Sequence, residues 1–268
     1  MRVKWSRVLP SVPSTVTVVK DAAGRYFCSF VVETEPAQDL TRMPETDAVV
    51  GIDLGLTHFA ILSDGRRIDS PKFLRRAEKK LKRAQQVLCR KAKDSKNRDK
   101  ARTKVARAHG RVADARREFH HQLSTELIRD NQAVAVEDLA VKGLARTRLA
   151  KSVHDAGWSA FVTMLEYKAA RYGRAFHRTG RFEPTSQVCS HCGVKGGPKP
   201  LNVREWTCGA CGTGLDRDIN AAVNVARAAG LAVSACRAQV SRGSVPAQRV
   251  EAGTHRDGQT TVVGIPAL

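Results

Sequence analysis

Acidic side chains are scarce in this chain. Its 26 Asp and Glu stand against 46 Lys and Arg, a formal charge of +20 over 268 residues. An excess that large points to a polyanionic partner, nucleic acid before any other. Long apolar runs are missing too: none approaches the roughly 18 residues that a membrane helix needs. The opening residues MRVKWSRVLP lack the apolar core of a signal peptide. A cytoplasmic, nucleoid-associated protein with no membrane partner is expected. Cysteine is sparse outside two pairs, since Cys28, Cys89 and Cys236 are scattered, which excludes a disulfide framework and indicates a reducing compartment. No internal repeat is present, and the length suits one large domain or two modest ones.

Among what is present, the stretch from Thr185 to Val225 stands out. Cys189 and Cys192 form one Cys-x-x-Cys knuckle, Cys208 and Cys211 a second, with fifteen residues between them. Each knuckle turns two sulfurs toward one ion, so the four cysteines are candidate ligands of a structural, tetrahedral Zn²⁺. Four residues beyond the last Cys the chain reads DRDINAA, two acids opening an apolar-periodic helix over 216–229 that stops at Gly230.

The positive charge is concentrated. Residues 72–117 hold nineteen Lys and Arg against four acids, three quarters of the net charge. An apolar stripe at Val105, Ala108, Val112, Ala115, Phe119, Leu123 and Leu127 has helical spacing, and the break at 94–97 predicts two helices in a hairpin. A solvated charged helix would mix its signs; this one does not, which favours contact with nucleic acid.

Before this region, alternating runs at 14–20 and 25–33 around Asp21-Ala-Ala-Gly24 predict a β-hairpin. Three strands at 49–53, 58–63 and 66–69 follow as an antiparallel meander. After it come a strand at 133–137 (AVAVE), a basic irregular stretch over 140–156, an amphipathic helix over 158–172 and a strand at 174–178. The order describes an RNase H-like mixed α/β fold, in which the first and fourth strands of the sheet lie side by side. Asp53 and Glu137 would then be neighbours, and an acid at a helix start could close the group. Three converging carboxylates repel unless cations neutralise them, and an all-oxygen set suits Mg²⁺ or Mn²⁺. Two such ions about 4 Å apart can serve phosphodiester hydrolysis. Each acid also has a plainer reading: Asp53 as a turn residue, Glu137 in an ion pair with Asp138 as its rival, and Asp216 and Asp218 as helix N-terminal acids. Asp216 is the expected cap, with Asp218 directed to the site.

Four segments carry a family resemblance. GIDLGLTHFAILSDG, AVAVEDLAVKGL, TSQVCSHCG and CGACGTGLDRDINAAVNVARA resemble the three RuvC motifs and the zinc ribbon of TnpB (OrfB-type) proteins of bacterial insertion sequences. The resemblance covers about residues 1–230. It implies that Asp53, Glu137 and Asp218 are metal-binding catalytic acids and that Cys189, Cys192, Cys208 and Cys211 bind zinc. It also implies an RNA-guided, Mg²⁺-dependent DNA endonuclease, with DNA and a transposon-derived guide RNA as partners. Family members carry a long further N-terminal region, a wedge (OB-like) barrel with an inserted recognition domain, so an N-terminally truncated member is expected.

The expected layout places the end of the wedge barrel and a linker at 1–47. The RuvC domain follows at 48–184 and 215–230, with the basic helical hairpin at 72–130 inserted into it. A zinc ribbon occupies 185–214 and a disordered tail 231–268. The alternative function is a non-cleaving nucleic-acid-binding or inactive remnant, which leaves three clustered acids in a basic protein without a purpose. A junction resolvase on the same fold does not account for the ribbon, and ordinary zinc-ribbon DNA binding does not account for the acids.

Overall fold

The computed structural model describes residues 8–34, 43–181, 183–200, 202–231 and 262–263. The expected hairpin is there: β1 (Thr15–Lys20) and β2 (Tyr26–Val31) pair antiparallel around a turn closed by Gly24 at φ 79°. Its turn docks on a long helix, α2 (Lys96–Asp130), through an Arg25–Asp114 ion pair and a bond from Arg107 Nε to Ala23 O at 3.2 Å.

The centre of the molecule is a five-stranded mixed sheet. Strands β3 (Val49–Leu54), β4 (His58–Leu62) and β5 (Arg67–Asp69) make the meander, turned by Gly65 at φ 91°. Strand β6 (Ala133–Glu137) then lies parallel to β3, and β7 (Ala175–Thr179) parallel to β6, giving the order β5-β4-β3-β6-β7. The apolar run AVAVE forms a strand because both faces of β6 are covered, and Ala133 to Val136 are all buried.

Helix α1 (Phe73–Cys89) and α2 form the predicted hairpin, with Ser95 capping α2 through Arg98 N at 3.1 Å. The stripe on α2 is only partly core. Val112, Leu123, Leu127 and Ile128 are buried, whereas Ala115 is exposed, because away from its C-terminal end this 35-residue helix packs on α1 and the β1–β2 turn rather than on the sheet. The stretch 140–156 is not irregular. It holds α3 (Val141–Leu144) and α4 (Ala150–Ala156), the second fixed by burial of Val153, Asp155 and Ala156. Asp155 Oδ1 accepts from Leu74 N at 2.9 Å and from Arg116 Nη2 at 3.3 Å, tying the base of the hairpin to the body.

Helix α5 (Trp158–Arg171) packs with α2 on one face of the sheet, around Phe59, Leu123, Leu127, Phe161 and Leu165. Buried Lys168 on α5 donates to His121 O, Ser124 Oγ and Thr125 Oγ1 of α2, at 2.7–2.8 Å. The ribbon follows, with its short strands β8 (Glu205–Thr207) and β9 (Gly214–Asp216), and then α6 (Arg217–Ala228) on the other face of the sheet, against β3, β4 and β6. Three layers result, with the central parallel strands buried on both sides. Beyond Leu231, Val262–Val263 forms a strand, β10, antiparallel to β2. The rest of the expected tail, the linker's residues 35–42 and Cys236 lie outside the described residues. No described helix is long and apolar enough to cross a membrane.

Candidate active site and metal centre

The parallel register of β3 and β6 pairs Ile52 with Val136, so Asp53 and Glu137 are the next residues on adjacent strands. Both lie at the C-terminal ends of parallel strands, where open α/β sheets place their ligands. Asp53 is held well above the usual carboxylate range, by burial first and then by the charges of Glu137 and Asp218. Burial also raises Glu137, while the Asp53–Glu137 hydrogen bond lowers it and raises Asp53. Asp53 thus lies within electrostatic range of both Glu137 and Asp218, the other two acids singled out in the sequence.

Asp216 and Asp218 separate by role. Asp216 caps α6, its Oδ1 accepting from Asp218 N at 3.0 Å and Ile219 N at 2.9 Å. Arg67 Nη2 holds its other oxygen at 2.6 Å. Asp218 faces Asp53 and is gripped by Arg204 of the ribbon, whose Nη1 lies 3.1 Å from each carboxylate oxygen. Asp138 pairs instead with Arg181 at 2.9 Å. Arg67 and Arg204 were not anticipated from the sequence. They lie 149 and 14 residues from their partners, and nothing local marks them among 46 basic residues.

The ligand atoms of Cys189, Cys192, Cys208 and Cys211 all lie within 4.8 Å of one another. Sulfur pairs stand 3.8 Å apart (Cys189–Cys211) and 3.7 Å apart (Cys192–Cys208). A tetrahedron with Zn–S bonds of about 2.3 Å has edges of about 3.8 Å, so the donor set and its spacing fit a four-thiolate metal site. Hydrogen bonding with the Thr213 side chain and then with its backbone brings the Cys211 thiol down to about 6, which favours the thiolate.

The ribbon is bolted to α6 by two asparagines that no motif in the sequence singles out. Asn220 Nδ2 donates to Thr185 O and Val188 O at 3.3 and 2.8 Å, and Asn224 Nδ2 donates to the same two oxygens at 2.7 Å each. Asn220 Oδ1 also accepts from Ser190 N, inside the first knuckle, at 2.7 Å. An Asn-x-x-x-Asn step on an apolar helix face was the available signal.

Fold and site together define a mixed α/β protein. A carboxylate cluster sits at its parallel strand ends, and a four-cysteine ribbon is docked beside the helix that carries the third acid. Residues 29–148 match the family described as "Probable transposase" (OrfB_IS605), and residues 158–225 match the "Cas12f1-like, TNB domain". A Streptomyces pristinaespiralis protein named "Putative RNA-guided DNA endonuclease" is 46% identical over 269 residues, covering 99% of this chain and 65% of that protein. An Escherichia coli K12 protein named "Putative RNA-guided DNA endonuclease InsQ" is 31% identical, covering 91% of this chain and 63% of its own length. One solved structure, titled "Cryo-EM structure of the Cas12f1-sgRNA-target DNA complex", aligns with TM-score 0.45 at 16% identity over 75% of this chain and 44% of that one. The chain belongs to the OrfB/TnpB family, and it spans a little under two thirds of the length of these two curated relatives.

Proposed function

We propose that the chain carries an RNase H-like (RuvC) nuclease centre, built from residues 48–184 and 215–230, that hydrolyses DNA phosphodiester bonds with divalent cations. The observation that carries this is the convergence of Asp53, Glu137 and Asp218, with Asp53 raised by burial and by the other two charges. Such a cluster is costly unless cations fill it, and its hard oxygen donors suit Mg²⁺ or Mn²⁺. The sheet order, a meander followed by two parallel strands, supports the RNase H-like reading. Residues 185–214 are a zinc ribbon, 72–130 an inserted basic hairpin, and the described part of 1–47 the end of a wedge barrel.

When bound, the two ions supply an activated water and stabilise the leaving oxygen. The chain's own residues do the rest. Asp53, Glu137 and Asp218 would hold the cations at the strand ends. Asp216 and the ribbon's Asn220 and Asn224 contacts hold α6 so that Asp218 stays in place. The Lys and Arg of α1 and α2 hold the phosphate backbone, whatever its sequence. The relatives' names support a guide RNA as a second partner alongside DNA.

The test is DNA cleavage in Mg²⁺ with a transposon-end RNA supplied. Asp53→Ala is expected to abolish cutting and leave nucleic-acid binding intact. Equal cutting by both proteins would overturn the assignment.

A further inference from the structure

The register that sets Glu137 beside Asp53 continues to the next strand. Glu137 on β6 pairs with Thr179 on β7, as Ala135 pairs with His177. Gly51, which pairs with Ala135, faces α6, since a Cβ there would run into the Ala222 carbonyl oxygen. Residues two apart on a strand share a face, and residues paired across neighbouring strands share it too. Asp53, Glu137 and Thr179 therefore form one row across β3, β6 and β7. The row lies on the face covered by α6, the helix that carries Asp218.

An idle donor and an under-supplied acceptor stand side by side in this row. Thr179 is 4% exposed, and its buried hydroxyl has no hydrogen-bond partner among the described residues. A hydroxyl buried in that state is costly, and folded proteins keep few of them. Next to it, the Glu137 carboxylate bonds only to that of Asp53 among the described residues. The acids on α6 are better supplied: Arg204 grips Asp218, and Arg67 holds Asp216. Arg181, two residues beyond Thr179, is taken by Asp138. A carboxylate that holds a metal ion is normally fixed by hydrogen bonds from the groups around it, and losing such a donor costs about 10- to 100-fold in metal affinity.

We propose that Thr179 is a positioning residue for Glu137, its hydroxyl donating to the Glu137 carboxylate when that carboxylate holds a divalent cation. The inference rests on the reading of Asp53, Glu137 and Asp218 as a cation site. Carboxylates that hold cations are acceptors only, so the bond between Asp53 and Glu137 cannot persist there. Glu137 then needs a donor from its other side. Neighbouring strands lie about 4.8 Å apart, a gap that a Thr hydroxyl and a Glu carboxylate on one face can bridge. Fixed in this way, Glu137 keeps its orientation on the edge-strand side of the cluster, as Asp218 keeps its own through α6.

The test reads Mn²⁺ binding from the electron paramagnetic resonance of the free ion, on the purified chain without nucleic acid or chelator. The wild-type chain is expected to bind Mn²⁺, and Asp53→Ala to lose that binding. Thr179→Val keeps the shape of the side chain, removes the hydroxyl and should weaken Mn²⁺ binding about tenfold. With no divalent cation added, its melting temperature should equal that of wild type or exceed it, because a methyl group replaces an unpartnered buried hydroxyl. Thr179→Ser keeps the hydroxyl and should bind Mn²⁺ as the wild-type chain does. If Thr179→Val binds like wild type while Asp53→Ala does not, the role of Thr179 is overturned and the cation site stands. Equal weakening in Thr179→Val and Thr179→Ser overturns it too, by tracing the loss to packing. So does a lower melting temperature of Thr179→Val without cations, which would make the hydroxyl a structural group. A wild-type chain that binds no Mn²⁺, or unchanged binding in Asp53→Ala, overturns the cation site and this inference with it.

Discussion

Gly51 and Ala222 stand in backbone contact: a Cβ added at Gly51 would lie 2.0 Å from the Ala222 carbonyl oxygen and 2.8 Å from Ala226 N. Helix α6 therefore rests directly on β3, two residues before Asp53, and this close approach brings Asp218 to the first acid. The obstacle is helix backbone, so it cannot be relieved by a rotamer change. Gly51→Ala is expected to cost about 1–3 kcal/mol or more, and a thermal melt should show a fall of roughly 3–10 °C. Divalent-cation affinity, measured by calorimetry, should fall with it, because the helix must lift Asp218 away. An unchanged melting temperature would contradict the close packing.

Much of the frame was legible because its signals are local. The hairpin and the meander follow from alternating apolar runs punctuated by Gly24 and Gly65, both with positive φ. Asp53, Glu137 and Asp218 are marked in the sequence only as a set, through their order along a strand, strand and helix pattern. Helices α3 and α4 were missed because they are short, and α4 is held by tertiary burial of Val153 and Asp155 rather than by a stripe of its own. Ala115 shows the opposite error, since helical spacing identifies a face but cannot say how far along α2 the body extends. Arg67, Arg204, Asn220 and Asn224 act on partners brought near by folding, which no window of sequence contains.

The raised Asp53 makes stability depend on pH in a defined direction. A carboxyl held above its unfolded value of 3.8 contributes stability that is fully present below that value and lost as pH rises through the folded one. With no Mg²⁺ or Mn²⁺ added and no chelator present, Asp53→Asn should therefore melt a few degrees higher than the wild-type chain at pH 7. The difference should vanish near pH 3. With Mg²⁺ added the order should reverse, because only the wild-type chain gains the binding energy. A variant less stable than wild type at pH 7 without Mg²⁺ would refute strain among the three acids.

For the ribbon, about one equivalent of zinc is expected in the purified chain by elemental analysis, from the fit of the four sulfurs to a tetrahedron. Cys208→Ser should lose most of it and lower the melting temperature by at least about 5 °C, because ligand binding and folding of such a module are one equilibrium. A fully folded, metal-free wild-type chain would rule out the site.

Asn220 and Asn224 donate to the same two carbonyl oxygens, so each covers for the other. Asn224→Ala alone leaves Thr185 O and Val188 O with a donor and should cost about 1 kcal/mol. The double Ala variant leaves both buried carbonyls without a partner, and its cost should exceed the sum of the single costs by about 0.5–3 kcal/mol. Denaturant melts of the four proteins in the cycle give this number, and simple additivity would show that the carbonyls find other donors.

Along the helical hairpin, charge and exposure together set the expected binding behaviour. Lys79, Lys82 and Arg83 on α1 and Lys100 on α2 are exposed, and none of them forms an ion pair among the described residues. If these cations sit against phosphates, each releases counterions on binding, and the slope of log K against log salt for duplex DNA changes by about 0.9 for each phosphate no longer neutralised. Replacing all four with Gln should flatten the slope by up to about 3–4, and weaken binding of unrelated sequences by the same factor. The hairpin should keep its helices, because its buried side chains Leu81, Ala101 and Val112 are untouched. A slope that does not move would place the nucleic acid on another face of the protein. A weakening confined to one DNA sequence would mean that these side chains read bases rather than backbone.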